Sequence, residues 1–165
     1  MRKASLRELC FFVAIILLAG CGENKTSTVS STDEAALIQA RLDLVEHDIK
    51  GAGIMNEDVL RAMREVPRHE FVRLELQPLA YADTPLPSGY GKTISQPFIV
   101  AVMTDLLDVQ PTDTVLEIGT GLGYQSAILA ELAQRVFSIE LIEELAEQAR
   151  QIGRASCRER VSSVV

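Results

Sequence analysis

The segment that most constrains this chain is Val115-Leu116-Glu117-Ile118-Gly119-Thr120-Gly121-Leu122-Gly123-Tyr124. An apolar run of strand character ends in an acidic residue, a turn with three glycines follows, and a helical pattern begins. Strand, tight turn and helix N-terminus in that order build a ligand site at the carboxyl end of a parallel strand. The following residues agree. Tyr124 to Leu132 reads as a helix, Arg135 to Ile139 as a second strand ending at Glu140, and Leu141 to Ala149 as a second helix. Strand–helix–strand–helix at this spacing implies an α/β fold with a parallel sheet and right-handed crossovers, in which Thr114 to Ile118 is expected to be buried.

The turn has its own chemistry. Gly119, Gly121 and Gly123 are spaced as GxGxG, whereas the dinucleotide fingerprint would place its third glycine at Tyr124. A nicotinamide dinucleotide is therefore disfavoured. Glycines let the backbone approach a ligand and take up positive φ, and the helix start offers free N–H groups to a carboxylate or phosphate. Glu140, at the end of the next strand, is placed to accept hydrogen bonds from ribose hydroxyls. Glu117 is suited to holding a cationic amine. A cofactor with an amino-acid end and a ribose end fits both, and S-adenosylmethionine is such a molecule. The competing reading is a plain strand-to-helix turn with a solvated Glu140. Gly91-Lys92-Thr93 echoes a phosphate-binding loop, but that motif needs glycine where Leu86 stands and a preceding strand, so a nucleoside-triphosphatase is rejected.

Upstream, Ser31 with Glu34 offers a capping box to a helix carrying Leu37, Ala40, Leu44 and Val45 and stopping near Gly51. Asn56 caps a second helix whose acidic first turn suits the helix dipole and whose apolar side is Val59, Leu60 and Met63. Pro67 ends it near Val66. Tyr81 to Lys92 reads as loop, punctuated by Pro85, Pro87, Gly89 and Gly91. Pro97 fits the first turn of a helix through Val100, Met103 and Leu107, and Pro111 to Asp113 is a turn. Thr93-Ile94-Ser95-Gln96 precedes that helix. Alone, such hydroxyls most often cap helices.

Composition narrows the function. The 165 residues suggest one domain. The net charge of -7, with aromatics at 5% and no tryptophan, gives a nucleic-acid role neither electrostatic nor stacking support. Cys10, Cys21 and Cys157 lie outside the central motifs, so a disulfide framework or a metal site is not expected. The N-terminus is read separately. Arg2, Lys3 and Arg7 precede an apolar run, Leu9 to Leu18, too short to span a bilayer comfortably, and Leu18-Ala19-Gly20-Cys21 follows. This resembles a bacterial lipoprotein signal over residues 1–21 with lipidation at Cys21, followed by a polar tether over 22–32. It predicts a lipid-anchored protein facing the periplasm or cell exterior.

Residues 33–151 then form the globular part, and 152–165 read as a non-native tail in which Ile152 to Val161 has no helical or strand period, resembling a translated sequencing adapter. Resequencing the locus tests this: a native continuation after about Gln151 supports it, and the same tail in genomic DNA removes it.

Taken together, four segments resemble the protein-L-isoaspartate O-methyltransferase family: Val66-Pro67-Arg68-His69-Glu70-Phe71-Val72; Tyr81-Ala82-Asp83 with Pro85-Leu86-Pro87; Gly91-Lys92-Thr93-Ile94-Ser95-Gln96-Pro97; and Glu117-Ile118-Gly119-Thr120-Gly121. Their order and spacing match over roughly Ala36 to Ala149. The resemblance implies a Rossmann-like S-adenosylmethionine-dependent methyltransferase fold whose C-terminal part is missing here, so that this truncated chain is expected to be inactive. It implies methyl transfer to the free carboxyl of L-isoaspartyl residues in damaged proteins or peptides. The ester then collapses to a succinimide, which partly reopens to normal aspartate. By the same resemblance Ser95 is the active-site serine. Thr93 and Ile94 line cofactor and substrate. Glu117, Gly119, Thr120, Gly121 and Gly123 form the first cofactor motif, and Glu140 binds the ribose. His69 is expected to be structural.

Lys92 stands where the family often has glutamine, and Leu122 replaces a small residue and could crowd the cofactor. The alternatives are another small-carboxylate methyltransferase or a non-catalytic envelope binding protein retaining the fold. A signal for export sits uneasily with a cytosolic cofactor, and family members are usually cytoplasmic.

Overall fold

A computed structural model of the protein describes residues 31–155 and 161–164, with side chains over 33–153. The signal, Cys21 and most of the tether lie outside these residues. Helix α1, Ser31–Asp43, continues without a break into a π-helical segment, Leu44–Lys50. Leu44, Val45 and Ile49 are buried there, the face that the spacing of apolar residues predicts.

Helix α2, Glu57–Glu65, starts where Asn56 Oδ1 accepts from the backbone N–H groups of Asp58 (3.1 Å) and Val59 (3.4 Å), which satisfies two of the free donors of the first turn. Its apolar side, Val59, Leu60, Ala62 and Met63, is the centre of the core. Short 3-10 turns follow at Arg68–Phe71 and Leu74–Leu79.

The segment expected to be loop contains a hairpin. Strand β1, Leu86–Gly89, pairs antiparallel with β2, Lys92–Ile94. The two turn residues, Tyr90 (φ 53°) and Gly91 (φ 68°), both take left-handed backbone, as a two-residue hairpin turn demands. Leu86 and Ile94 face each other across the ladder and are buried. Helix α3, Pro97–Leu107, follows. It buries Val100, Ala101 and Thr104, whereas Met103 and Leu107, expected on the apolar side, are exposed.

Strand β3, Thr114–Ile118, helix α4, Tyr124–Leu132, strand β4, Arg135–Ile139, and helix α5, Glu143–Ala155, realise the predicted strand–helix order. β3 pairs parallel with β4 from Thr114↔Arg135 to Ile118↔Ile139. Two differences concern the end of the chain. α5 extends beyond Ala149, and Val161–Val164, in the segment read as a non-native tail, form β5 parallel to β4. The β-branched Val161 and Val164 suit a strand beside an open edge.

The sheet order is β3-β4-β5. Among the described residues β3 therefore lies at an edge of the sheet and is not the buried strand expected. Val115 and Glu117 face inward, while Leu116 (59% exposed) and Ile118 (82%) face out.

Candidate functional site

At the end of β3 the backbone turns through Gly119 (φ 94°), Gly121 (φ 55°) and Gly123 (φ 89°). A side chain there would force an L-residue into left-handed backbone, a cost of about 1–2 kcal/mol. Packing separates the three. A Cβ on Gly123 would also press on Ala149 Cβ at 3.4 Å, so this glycine lets α4 and α5 approach closely. A Cβ on Gly119 or Gly121 would meet nothing within 4 Å. Those two glycines border open space, as a backbone that must approach a ligand should. Leu122 is buried and lines a cavity of about 160 Å³ with Phe71, Val72 and Ile152.

Glu140 sits beside this turn. Its Oε2 accepts from Gly121 N–H at 2.7 Å and its Oε1 from Ile142 N–H at 3.0 Å, so one carboxylate joins the glycine turn to the start of the next helix. Burial works against its ionisation. Donation from the backbone N–H groups of Ile142, Gly121 and Leu141, together with the charge of Lys92, outweighs this and holds the Glu140 carboxyl below its ordinary range. Lys92 opens β2, so the positive charge that acts on Glu140 comes from the hairpin. Thr93 and Ser95 are exposed on either side of Ile94, whose side chain packs in the core and leaves only its backbone to a ligand.

Glu117, suited by the sequence reading to a cationic amine, faces inward: its carboxylate accepts from Ser126 Oγ on α4 and from Ser138 Oγ on β4, the latter at 2.6 Å. Burial raises its carboxyl above the ordinary range, donation by Ser126 and Ser138 offsets part of that, and the charge of Glu140 adds to it. Thr120 Oγ1 lies 2.5 Å from Ser138 Oγ, and both side chains are buried.

The segment before Ser95 is held from a distance. Asp83 Oδ1 accepts from Phe98 N–H at 2.8 Å and Oδ2 from Gln96 Nε2 at 2.7 Å. Asp83 thus caps α3 from another loop, since Gln96 itself makes no capping bond. Nearby, Arg68 is fully buried, with its guanidinium 4.9 Å from the centre of the Tyr124 ring and Nη2 donating weakly to Thr84 O at 3.4 Å. Its Nε and Nη1 have no hydrogen-bond partner among the described residues. Burial lowers its pKa, against the opposing influence of Tyr124, Asp83 and Tyr81. His69 Nδ1 lies 2.7 Å from Tyr81 Oη, and Gln77 Nε2 donates to His69 O at 3.1 Å, which gives His69 a bracing part in this layer. Among the described residues no group of three or more His, Cys, Asp or Glu could hold a metal ion, and no helix is long and apolar enough to cross a membrane.

Sequence reasoning gave Ser126 and Ser138 no part in the site, and Arg68 and Asp83 only a place in a motif. A serine at an inward strand position, flanked by Val136, was the available signal for Ser138. Nothing local distinguishes Asp83, because its partners lie 13 and 15 residues away.

Comparison with known proteins decides the family. The family model described as protein-L-isoaspartate(D-aspartate) O-methyltransferase matches residues 39–165. The chain belongs to this family. Protein-L-isoaspartate O-methyltransferase 1 of Polaromonas sp. is 74% identical over 101 residues, which cover 61% of this chain and 43% of that protein. Protein-L-isoaspartate O-methyltransferase 2 of Shewanella sediminis is 44% identical over 141 residues, 86% of this chain and 57% of that protein. The chain spans about half the length of the curated relatives it matches.

Among solved structures, one titled protein-L-isoaspartate O-methyltransferase superposes with a TM-score of 0.67 at 26% identity, over 75% of this chain and 41% of that one. A Plasmodium falciparum structure, titled as a protein-L-isoaspartate O-methyltransferase in complex with S-adenosyl-L-homocysteine, superposes with a TM-score of 0.64 at 23% identity, over 75% of this chain and 62% of that one. The fold is the mixed α/β methyltransferase fold of these enzymes, and this chain carries part of it.

Proposed function

We propose that this chain carries the cofactor half of an enzyme that transfers a methyl group from S-adenosylmethionine to the free carboxyl of L-isoaspartyl residues in damaged proteins or peptides. The observation that carries this reading is the carboxylate of Glu140, bonded to Gly121 N–H at the lip of a glycine turn whose first two glycines border open space. Family membership supplies the rest of the support. An acid at the end of the second strand suits ribose hydroxyls, and the turn and the start of α4 suit a carboxylate. When bound, the sulfonium cofactor supplies an electrophilic methyl group.

The residues of this chain then have little proton work to do. An isoaspartyl carboxyl, with a pKa near about 4, is already ionised at neutral pH and needs no general base. One carboxylate oxygen forms the new bond to carbon as the carbon–sulfur bond breaks. The electron pair of that bond stays on sulfur, and no proton changes place. Placement and partial desolvation supply the acceleration. Ser95, exposed between β2 and α3, donates a hydrogen bond that orients the carboxylate and is not a covalent nucleophile. Asp83 keeps that segment in register through Gln96 and Phe98.

Calorimetry of this chain with S-adenosylhomocysteine tests the cofactor half of the reading, and binding is expected. In a full-length relative, alanine at the serine matching Ser95 should lower turnover on an isoaspartyl peptide with a modest loss of cofactor affinity; unchanged turnover sinks the role given to Ser95. Methylation of normal aspartyl peptides at an equal rate would instead favour a different carboxylate as substrate.

We further propose that the protein is anchored through lipid on Cys21 and faces the periplasm or cell exterior. The basic start, the apolar run and Leu18-Ala19-Gly20-Cys21 in that order support this. Labelled palmitate should enter the membrane-bound protein and be lost in Cys21→Ser. Equal labelling of the two overturns Cys21 as the lipidated residue, and an unlabelled soluble protein argues for the cytoplasm.

A further inference from the structure

We infer that Ser138 is a positioning residue for cofactor binding: its hydroxyl joins the carboxylate of Glu117 to Thr120 and thereby holds the glycine turn in its ligand-ready form. The inference rests on the cofactor reading above. It begins with register. Glu117 and Ser138 are directly paired across the parallel ladder, so their side chains share a face of the sheet. Ser138 is fully buried and donates to Glu117 Oε2 at 2.6 Å. With its own proton committed there, Ser138 Oγ accepts from Thr120 Oγ1 at 2.5 Å.

The result is a one-way relay in which Thr120 donates to Ser138 and Ser138 to Glu117, with Ser126 donating to Glu117 from the other side. Thr120 is the second residue of the turn and lies between the two glycines that border open space. With its side chain drawn inward, the turn cannot roll without breaking the relay. The backbone N–H of Gly121 is thereby kept toward Glu140, which accepts from it at 2.7 Å.

The relay is strongest with an ionised Glu117. Both hydroxyls donate to Oε2, so a proton on Oε1 leaves the two bonds in place but removes the charge that strengthens them. Burial makes that protonation easier than for an exposed glutamate. The groups facing Glu117 are the neutral Ser126 from α4, Ser138 from β4, and Glu140 at the end of β4, which in turn feels Lys92 from the hairpin. Glu140 is held below its ordinary range. Of the two carboxyls, Glu117 is therefore the one held above the ordinary glutamate range. Affinity for the cofactor should fall as pH drops through the Glu117 transition, and removing Ser138 should move that transition upward.

The test is calorimetry of S-adenosylhomocysteine binding to the whole chain and to Ser138→Ala between pH 4.5 and 8, beside a carbon-13 carboxyl titration of Glu117 in the ligand-free proteins. The unsubstituted chain should bind with an affinity that breaks at the Glu117 transition. In Ser138→Ala, binding should weaken on the order of tenfold at pH 7, the equilibrium equivalent of one lost hydrogen bond to a charged group. Both its affinity break and its carboxyl transition should move to higher pH together. Thr120→Val cuts the relay at its far end and serves if Ser138→Ala does not fold; it should weaken binding while leaving the Glu117 transition near its original place. Binding that weakens equally at every pH, or a break that ignores the carboxyl transition, overturns the relay alone. No binding by the unsubstituted chain at any pH overturns the cofactor reading and the relay with it.

Discussion

Asp83→Ala should be among the more damaging single changes outside the hydrophobic core. Asp83 is half-buried, and its carboxylate accepts two hydrogen bonds, from Phe98 N–H at 2.8 Å and Gln96 Nε2 at 2.7 Å. The first is the cap of α3, and loss of a cap costs about 1 kcal/mol. The second is a hydrogen bond to a charged group, worth about 1.5–3 kcal/mol, with the lower part of that range applying to a half-exposed carboxylate. The change also removes negative charge near Arg68, a fully buried guanidinium. These effects overlap, so the expected loss is about 3 kcal/mol, a large fraction of the 5–15 kcal/mol stability usual for a domain.

Asp83→Asn keeps one acceptor for Phe98 and allows Gln96 to turn its amide, so it should lose only about 1–2 kcal/mol. Urea unfolding of the three proteins reads these values, and Gln96→Ala with and without Asp83→Ala gives their coupling. A loss below about 1 kcal/mol for Asp83→Ala, or equal losses for alanine and asparagine, would refute the view that charge and capping act together here.

Three further outcomes follow from the same structure. Burial, opposed by the charge of Glu70, keeps His69 below its ordinary pKa, so the fold favours the neutral ring. The stability it contributes is full above the unfolded value of about 6.5 and is lost as pH falls through the folded value, and His69→Gln should flatten the thermal-unfolding profile across that window. Gly121→Ala forces φ 55° on an L-residue with no new contact, so it should lower stability by about 1–2 kcal/mol through backbone strain, read by urea midpoint. Leu116 (59% exposed) and Ile118 (82%) give the outer face of β3 an apolar strip, so Leu116→Lys with Ile118→Lys should reduce fluorescence of a hydrophobic dye while changing stability little.

The order of elements was legible because local signals coincided. Asn56 marks the start of α2, Pro97 that of α3, and the change from strand to helix at the glycine turn has no other economical reading. What escaped depends on contacts distant in sequence. The β1–β2 hairpin hid behind Pro85, Pro87, Gly89 and Gly91, which punctuate a loop as readily as a ladder. β3 has the composition of a buried strand, but exposure is decided by what packs on it, and β3 is an edge of this sheet. The site shows the same division. The glycines and Glu140 announce themselves by spacing, whereas the burial of Ile94 and the engagement of Glu117 by two serines follow from register and from the placement of α4. Asp83 could not be given its role without knowing that its loop returns to the start of α3.

The central claim is that a cofactor with a ribose and an amino-acid end lies over the glycine turn, in reach of Glu140. Backbone NMR of the chain titrated with S-adenosylhomocysteine tests it directly. The account predicts saturable shifts at the amides of Gly119, Thr120 and Gly121 and at the Glu140 carboxyl, with smaller changes reaching Thr93 and Ser95. Shifts that leave the turn untouched and gather elsewhere, such as the cavity lined by Asp58, Arg61 and Gln134, would contradict it.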